Sequence, residues 1–248
     1  MKINLPAKTI DFANYSQKEA YTDLLGDEWY EANKTDFGKK PDPVQAIIES
    51  SGIRPKTIVE VGCANGWRLR RLWEKYGCEI AGIEPSAKAV KEGNETWANG
   101  ALFEGTADKL PFRDGSVDLL IYAYCLVWCD PSDLFKIVAE GHRVLANGGG
   151  LVIWDRQDVW PVRYPCAVLG SKQDAGNGPL TYTTYFYVMD HTKLWLAHPS
   201  YKKIGDLFER KNGHAEITTM LRRDDKTGWV EAELDNNAKY RFADFEAA

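Results

Sequence analysis

Residues Thr57 to Leu72 read Thr-Ile-Val-Glu-Val-Gly-Cys-Ala-Asn-Gly-Trp-Arg-Leu-Arg-Arg-Leu: a short β-branched apolar run, a glycine-bounded turn, then a helical Leu/Arg pattern. The order predicts a strand, a tight loop and the start of a helix. Gly62 and Gly66 suit a loop whose backbone takes dihedrals that side chains disfavour and lies bare against a ligand. The helix that follows directs free N–H groups into the same space. Glu60, two residues before Gly62, sets a carboxylate at the strand's carboxyl end, where a pyrophosphate is repelled and an amino group welcomed. The loop therefore suits a zwitterionic ligand. The lesser alternative for this segment alone is an ordinary strand-to-helix turn with two glycines, and the rest of the chain decides between the readings.

A chain of 248 residues can bury a full α/β core, and one domain with an added cap is expected rather than two independent domains. No apolar run reaches the roughly 18 residues that span a bilayer, and Met1 to Ile10 lacks the apolar centre of a signal peptide. A cytoplasmic location without a membrane partner is expected. The net charge of -5 argues against a nucleic-acid partner, whose phosphates call for clustered Lys and Arg. One local basic cluster, Arg68, Arg70 and Arg71, reads as a solvated helix face. Five cysteines without paired spacing fit a reducing compartment. Cys125 and Cys129 lack a second pair of metal ligands and read as buried thiols, so no metal is expected.

The segment from Met1 to Pro43 is polar and studded with aromatic residues, and a periodic run from Ser16 to Leu25 predicts a short helix. Trp29 and Tyr30 belong to this leader, and such aromatics cover either the core or the mouth of a ligand site. A helix over Val44 to Ser51 precedes the strand Thr57 to Val61. Further strands are expected at Cys78–Ile83, Ala101–Gly105, Val117–Tyr122 and Leu151–Trp154. Helices are expected over Trp67–Tyr76, Ala87–Trp97 with Ser86 as its cap, and Pro131–Leu145. This alternation implies a parallel sheet with helices on both faces, and ligands of such sheets sit at the carboxyl ends of the strands. Glu60, Glu84, Asp108 and Asp155 all fall there. Glu84 follows Glu60 by 24 residues, an offset that lets an acid at the end of the second strand accept both hydroxyls of a ribose. Asp108, just beyond the third strand, can take the exocyclic amine of adenine. After Asp155 the pattern changes: Arg156–Leu180 shows no clear period, Thr181–Met189 alternates like a strand, and Tyr201–Arg210 looks helical. His214–Leu221 and Lys239–Phe245 are the expected last strands, with a turn near Asp224–Gly228 or Asn236-Asn237.

These blocks resemble class I S-adenosylmethionine-dependent methyltransferases, the type 11-like enzymes on a seven-stranded, Rossmann-like doubly wound α/β sheet. The resemblance rests on Val59-Glu60-Val61-Gly62-Cys63-Ala64-Asn65-Gly66, Ala81-Gly82-Ile83-Glu84-Pro85-Ser86, Gly105-Thr106-Ala107-Asp108-Lys109-Leu110-Pro111-Phe112, Val117-Asp118-Leu119-Leu120 and His142-Arg143-Val144-Leu145-Ala146-Asn147-Gly148-Gly149. It implies a mostly parallel sheet with an antiparallel last strand, a cap over 1–43, a cofactor-binding core over 44–155, and an acceptor-binding insertion with the end of the same sheet over 156–248. It also implies S-adenosyl-L-methionine as cofactor. Glu60, Gly62, Cys63, Ala64 and Gly66 are then expected at its methionine end, Glu84 and Pro85 at the ribose, Ala107, Asp108 and Leu110 at the adenine, and Tyr122 and Ala123 beneath the sulfonium. Ala64 stands where the family usually has a middle Gly. Leu25–Asn33 and His191–Trp195 are similar to segments of methylases associated with pseudaminic acid biosynthesis, which suggests a sugar acceptor.

Methyl transfer from a sulfonium depends mainly on alignment in a dry pocket, an effect worth up to about 7–11 kcal/mol. A hydroxyl acceptor needs a general base besides. His191 and Asp155 are the candidates, with Asp158 and Tyr164 behind them. Trp128, Trp160, Arg163, Tyr182, Tyr185 and Tyr187 are candidates for a pocket that stacks on a sugar or ring, Arg163 meeting a carboxylate or phosphate. Trp29, Tyr30, Trp128, Arg163 and Tyr164 form the expected acceptor set. The expected function is methylation of a small molecule, a sugar or other biosynthetic intermediate. A binder of the cofactor or of S-adenosylhomocysteine without turnover is the alternative. A nicotinamide-dependent oxidoreductase needs a third glycine that this turn lacks.

Overall fold

The computed structural model describes residues 2–4, 16–97, 101–158, 160–170, 181–211 and 214–226. Strand β5 (Val117–Ala123) shows how the sequence sets the layers. Leu119, Leu120, Ile121 and Tyr122 are all 0% exposed, because a central parallel strand is covered on both faces. Alternate residues divide between two cores, as a strand's period of two requires. Leu120 and Tyr122 join Val59, Val61, Leu151 and Ile153 beneath helix α6 (Leu134–Val144). Leu119 and Ile121 join Ile58 and Val152 beneath α3 (Pro43–Ser51) and α4 (Trp67–Tyr76). Each fully buried Leu or Ile contributes about 1.5–3 kcal/mol of apolar transfer.

The strand order centres on β2 (Thr57–Val61), flanked by β3 (Glu79–Glu84) and then β4 (Ala101–Glu104) on one side. On the other side lie β5, β6 (Leu145–Gln157), β10 (His214–Arg223) and β9 (Tyr201–Lys211). These seven strands form one sheet, parallel from β4 to β6, with β10 antiparallel to β6. This is the expected Rossmann-like α/β architecture. Helix starts follow local chemistry. The Ser86 hydroxyl accepts from Ala89 N at 3.0 Å to cap α5 (Ala87–Thr96), and Asp42 caps α3 with Pro43 in its first turn.

The N-terminal segment runs through α1 (Gln17–Ala20), a π-helical turn (Tyr21–Leu25) and α2 (Gly26–Asn33). The capping box of Ser16 and Glu19 starts it. A second, three-stranded sheet contains β1 (Lys2–Asn4), β7 (Val162–Gly170) and β8 (Thr181–Val188).

Three expectations are corrected. Tyr201–Arg210 is strand β9, not a helix: Ile204 and Phe208 stand four apart, a spacing that shares a face in both conformations, and pairing with β10 selects the strand. Strands β9 and β10 pair antiparallel, and the turn expected near Asp224–Gly228 or Asn236-Asn237 runs beyond the described residues. The aperiodic stretch after Arg156 contains β7, whose register with β8 supplies an order that its Pro and aromatic residues hide. The strand expected over Leu151–Trp154 is part of a longer β6, Leu145–Gln157, whose pairing with β5 passes from Leu145 to Gly150 through a register shift. The strand expected at Lys239–Phe245 lies outside the described residues. Among those described, no helix is long and apolar enough to cross a membrane, and no group of three His, Cys, Asp or Glu side chains could hold a metal.

Candidate functional site

The turn after β2 is shaped by backbone that only small residues allow. Gly62 has φ +75°, and a Cβ there would lie 3.0 Å from the Cys125 Cβ. Gly66 repeats the left-handed geometry at φ +72°, where a Cβ would meet Leu102 at 3.2 Å. Ala64, in place of a glycine, is itself left-handed at φ +50°. Its N–H donates to Glu84 Oε2 at 2.9 Å, and Ser86 N donates to Glu84 Oε1 at 3.0 Å. The turn therefore fixes the acid at the end of the neighbouring strand. Burial pushes the Glu84 carboxyl up to about 7, against the pull of the Ser86 and Ala64 N–H groups.

A cavity opens above this turn at the carboxyl ends of the parallel strands. Of the expected cofactor set, Gly62, Glu84, Pro85, Ala107, Asp108 and Ala123 line it, and of the expected acceptor set Trp29 and Trp128 do. Cys63, Ala64, Leu110 and Tyr122 are buried behind the wall. Tyr122 packs on Trp195 with ring centroids 5.6 Å apart. Asp108 accepts from Thr106 Oγ1 at 2.7 Å and Lys18 Nζ at 2.9 Å. Burial alone would raise its pKa, but those two donors hold the carboxyl below the usual carboxylate value. Tyr21, one of the leader aromatics, lies on the wall, while the sequence did not point to Lys18, Tyr124, Cys125 and Cys129 there. Tyr124 carried one signal, its place directly after an apolar strand. Its φ of +52° marks strain, for a bulky residue rarely adopts that region.

Glu60 stands apart from the cavity's lining, fully buried in an ion pair with Arg68. Arg68 Nε also donates to Asp42 Oδ2 at 2.8 Å. Burial raises the Glu60 carboxyl to about 7 against the pull of Arg68, and Asp42 adds to the rise. Arg68 is thus not part of a solvated face: only 6% exposed, it joins α4, β2 and the start of α3. The helical pattern hid this, because the first turn of α4 faces inward over the end of β2.

The remaining expected residues lie elsewhere. Tyr30 is buried, and its hydroxyl donates to Glu92 at 2.7 Å, which fastens α2 to α5. Arg163 lies over the Tyr185 ring at 4.7 Å, and the Tyr164 hydroxyl donates to Asp158 at 3.3 Å. Trp160 is exposed. His191 Nδ1 comes within 3.4 Å of Asp155 Oδ2, without hydrogen-bond geometry. Burial drives the two toward neutrality, Asp155 well above the carboxylate range and His191 down to about 4. Their small cleft includes Met189, Thr192 and Thr219, and neither residue lines the larger cavity.

Residues 58–149 match the family model for a methyltransferase domain. The chain is 32% identical over 129 residues to the probable chloroplastic tocopherol O-methyltransferase of Oryza sativa subsp. japonica, across 47% of this chain and 34% of that protein. It is 33% identical over 101 residues to malonyl-[acyl-carrier protein] O-methyltransferase 1 of Coxiella burnetii, across 40% of this chain and 33% of that one. The chain spans about a third to three fifths of the length of the curated relatives it matches. In fold it is similar to the Burkholderia thailandensis 1,6-didemethyltoxoflavin-N1-methyltransferase, with TM-score 0.64, 13% identity, and coverage of 89% of this chain and 94% of that one. A Methanosarcina mazei methyltransferase gives TM-score 0.58 at 16% identity, with coverage of 72% and 97%. The matched segment, the strand order and the fold agree: residues 58–149 match a methyltransferase domain, and the chain has the fold of the solved methyltransferases.

Proposed function

We propose that this protein binds S-adenosylmethionine in the cavity above β2–β5 and transfers its methyl group in line to a small-molecule acceptor. The observation that carries the reading is the convergence of the left-handed Gly62 turn, Glu84 and Asp108 on one cavity. The cofactor fits that set. Glu84 keeps lone pairs for two ribose hydroxyls, since each oxygen accepts one backbone N–H bond. Asp108 offers a carboxylate to the adenine amine, and the bare backbone at Gly62 admits the methionine end. When bound, the cofactor supplies a methyl group activated on a sulfonium. The chain's own part is to orient the two reactants and exclude water.

In this reading residues 1–43 are the cap, 44–155 the cofactor core and 156–248 the acceptor side. Tyr21, Trp29 and Trp128 give the cavity aromatic walls, which suit a ring-shaped acceptor such as a sugar or other biosynthetic intermediate. The relatives and the structural neighbour are named for tocopherol, malonyl-[acyl-carrier protein] and 1,6-didemethyltoxoflavin, acceptors of different chemistry. Asp155 and His191 lie buried against each other in a cleft apart from the cofactor cavity. We therefore assign the pair to packing beside the site rather than to the transfer step. Calorimetry with S-adenosylhomocysteine and with NADH tests the cofactor, and label transfer from methyl-labelled S-adenosylmethionine into a small-metabolite extract tests turnover. Binding of NADH instead, or cofactor binding without any transfer, would sink the enzyme reading.

A further inference from the structure

The cap crosses the cavity on two adjacent residues of unequal strength. Gln17 is 1% exposed, and its whole amide is engaged. Nε2 donates to Trp128 O at 2.5 Å and to Tyr185 O at 2.8 Å, while Oε1 accepts from Tyr185 N at 2.9 Å. One side chain thereby joins α1, the turn carrying Trp128, and β8. Lys18 reaches the opposite wall, where its ammonium donates to Asp108 Oδ2 at 2.9 Å. The Lys18 side chain is 39% exposed, against 13% for Asp108. Tyr21 completes the crossing, its ring 5.6 Å from that of Trp128.

We propose that Ser16–Leu25 is a strap over the cofactor cavity, with Gln17 as its fixed end and Lys18 as a latch that competes with the adenine amine for Asp108. The inference rests on the cofactor reading above, which gives Asp108 to adenine. The order of release follows from the surroundings of the two contacts. Breaking the Gln17 bonds would leave backbone groups of Trp128 and Tyr185 without partners in a part-buried place, a costly state. Breaking the Lys18 pair exposes an ammonium to water it already touches, and such pairs contribute little net. The strap therefore lifts first at Lys18. Lys18 lines the cavity at Asp108 Oδ2, so an adenine amine that takes that place displaces the ammonium, and cofactor binding and release of the cap become one event. Gln17 is then a positioning residue: it keeps Trp128 and the cap in register while the latch exchanges.

Stopped-flow tryptophan fluorescence with S-adenosylhomocysteine, on the full chain at low and high salt, tests this with Lys18→Met, Lys18→Arg and Gln17→Ala. Lys18→Met is expected to associate roughly two- to fivefold faster and to bind tighter by the same factor, the worth of a partly exposed ion pair. Added salt should speed association of the wild type but not of Lys18→Met. Lys18→Arg should restore wild-type behaviour. Gln17→Ala should move the opposite way, with faster release and weaker binding. Unchanged or weaker binding by Lys18→Met, or a retained salt effect, overturns the latch. Hydrogen exchange on the ligand-free protein supplies an independent arm: amides of residues 16–25 should exchange faster in Lys18→Met, and equal exchange there overturns the proposal. If wild type fails to bind the ligand, the cofactor reading falls, while the exchange experiment still judges the latch.

Discussion

Glu60 and Glu84 are both buried acids at the ends of neighbouring strands, yet their surroundings give them different work. Glu84 faces the cavity with only backbone N–H partners, so a ligand hydroxyl that donates to its ionised form draws the proton off. Its pKa stands near 7 rather than the ordinary 4.5, and the ligand lowers it. Binding therefore releases a proton below about pH 7. Affinity for S-adenosylhomocysteine should rise with pH by at most about tenfold per unit and level off above pH 7. The sign for folding is opposite: the fold favours the neutral acid, so this residue's contribution to ligand-free stability falls as pH rises from the unfolded carboxylate range toward 7. Glu84→Gln should abolish the pH slope and weaken binding about tenfold or more, since a hydrogen bond to a charged group is worth about 1.5–3 kcal/mol. A slope that survives in calorimetry would assign it to another group. Glu60, by contrast, shares Arg68 with Asp42. Arg68→Met should cost about 3–5 kcal/mol by denaturant titration, because it strands two buried carboxylates. A loss below about 1 kcal/mol would show that water reaches them. Sequence made both glutamates visible but not their division of labour, which depends on an arginine eight positions from Glu60 that folding turns inward.

At the scale of elements, the five alternating strands and their helices were readable because each carries its own signal: an apolar run for β5, a serine cap for α5, a proline at the start of α3. Strand β9 was not, since its apolar residues fit a helix as well as a strand, and only the partner β10 distinguishes them. The strand places Leu207 against the core beneath α3 and leaves Phe208 59% exposed. Leu207→Ala should therefore cost about 1–2 kcal/mol and Phe208→Ala under about 0.5 kcal/mol in the same titration. Equal costs would contradict the alternation. Strand β8 was readable from its alternation, whereas its partner β7 escaped for a related reason. Strand β7 takes its order from β8, and Pro165 interrupts its alternation at a register shift.

For the whole molecule, a ligand that binds only the native chain raises stability by mass action. S-adenosylhomocysteine at 100 times its Kd should add about 2.7 kcal/mol, seen as a raised Tm, and NADH should add nothing. The reverse pattern would count against the proposed cofactor. The sequence by itself determined the layered α/β sheet, the glycine turn and the acids at the strand ends, because these follow from local periodicity and from short spacings that the backbone must obey. Only the tertiary structure decided which side chains share the cavity. It brought Lys18 to Asp108 and Gln17 to Trp128 and Tyr185, and it set His191 and Asp155 in a cleft of their own. Contacts across 90 to 168 residues of chain leave no periodic trace, since they exist only once the sheet has placed its edges and loops in space.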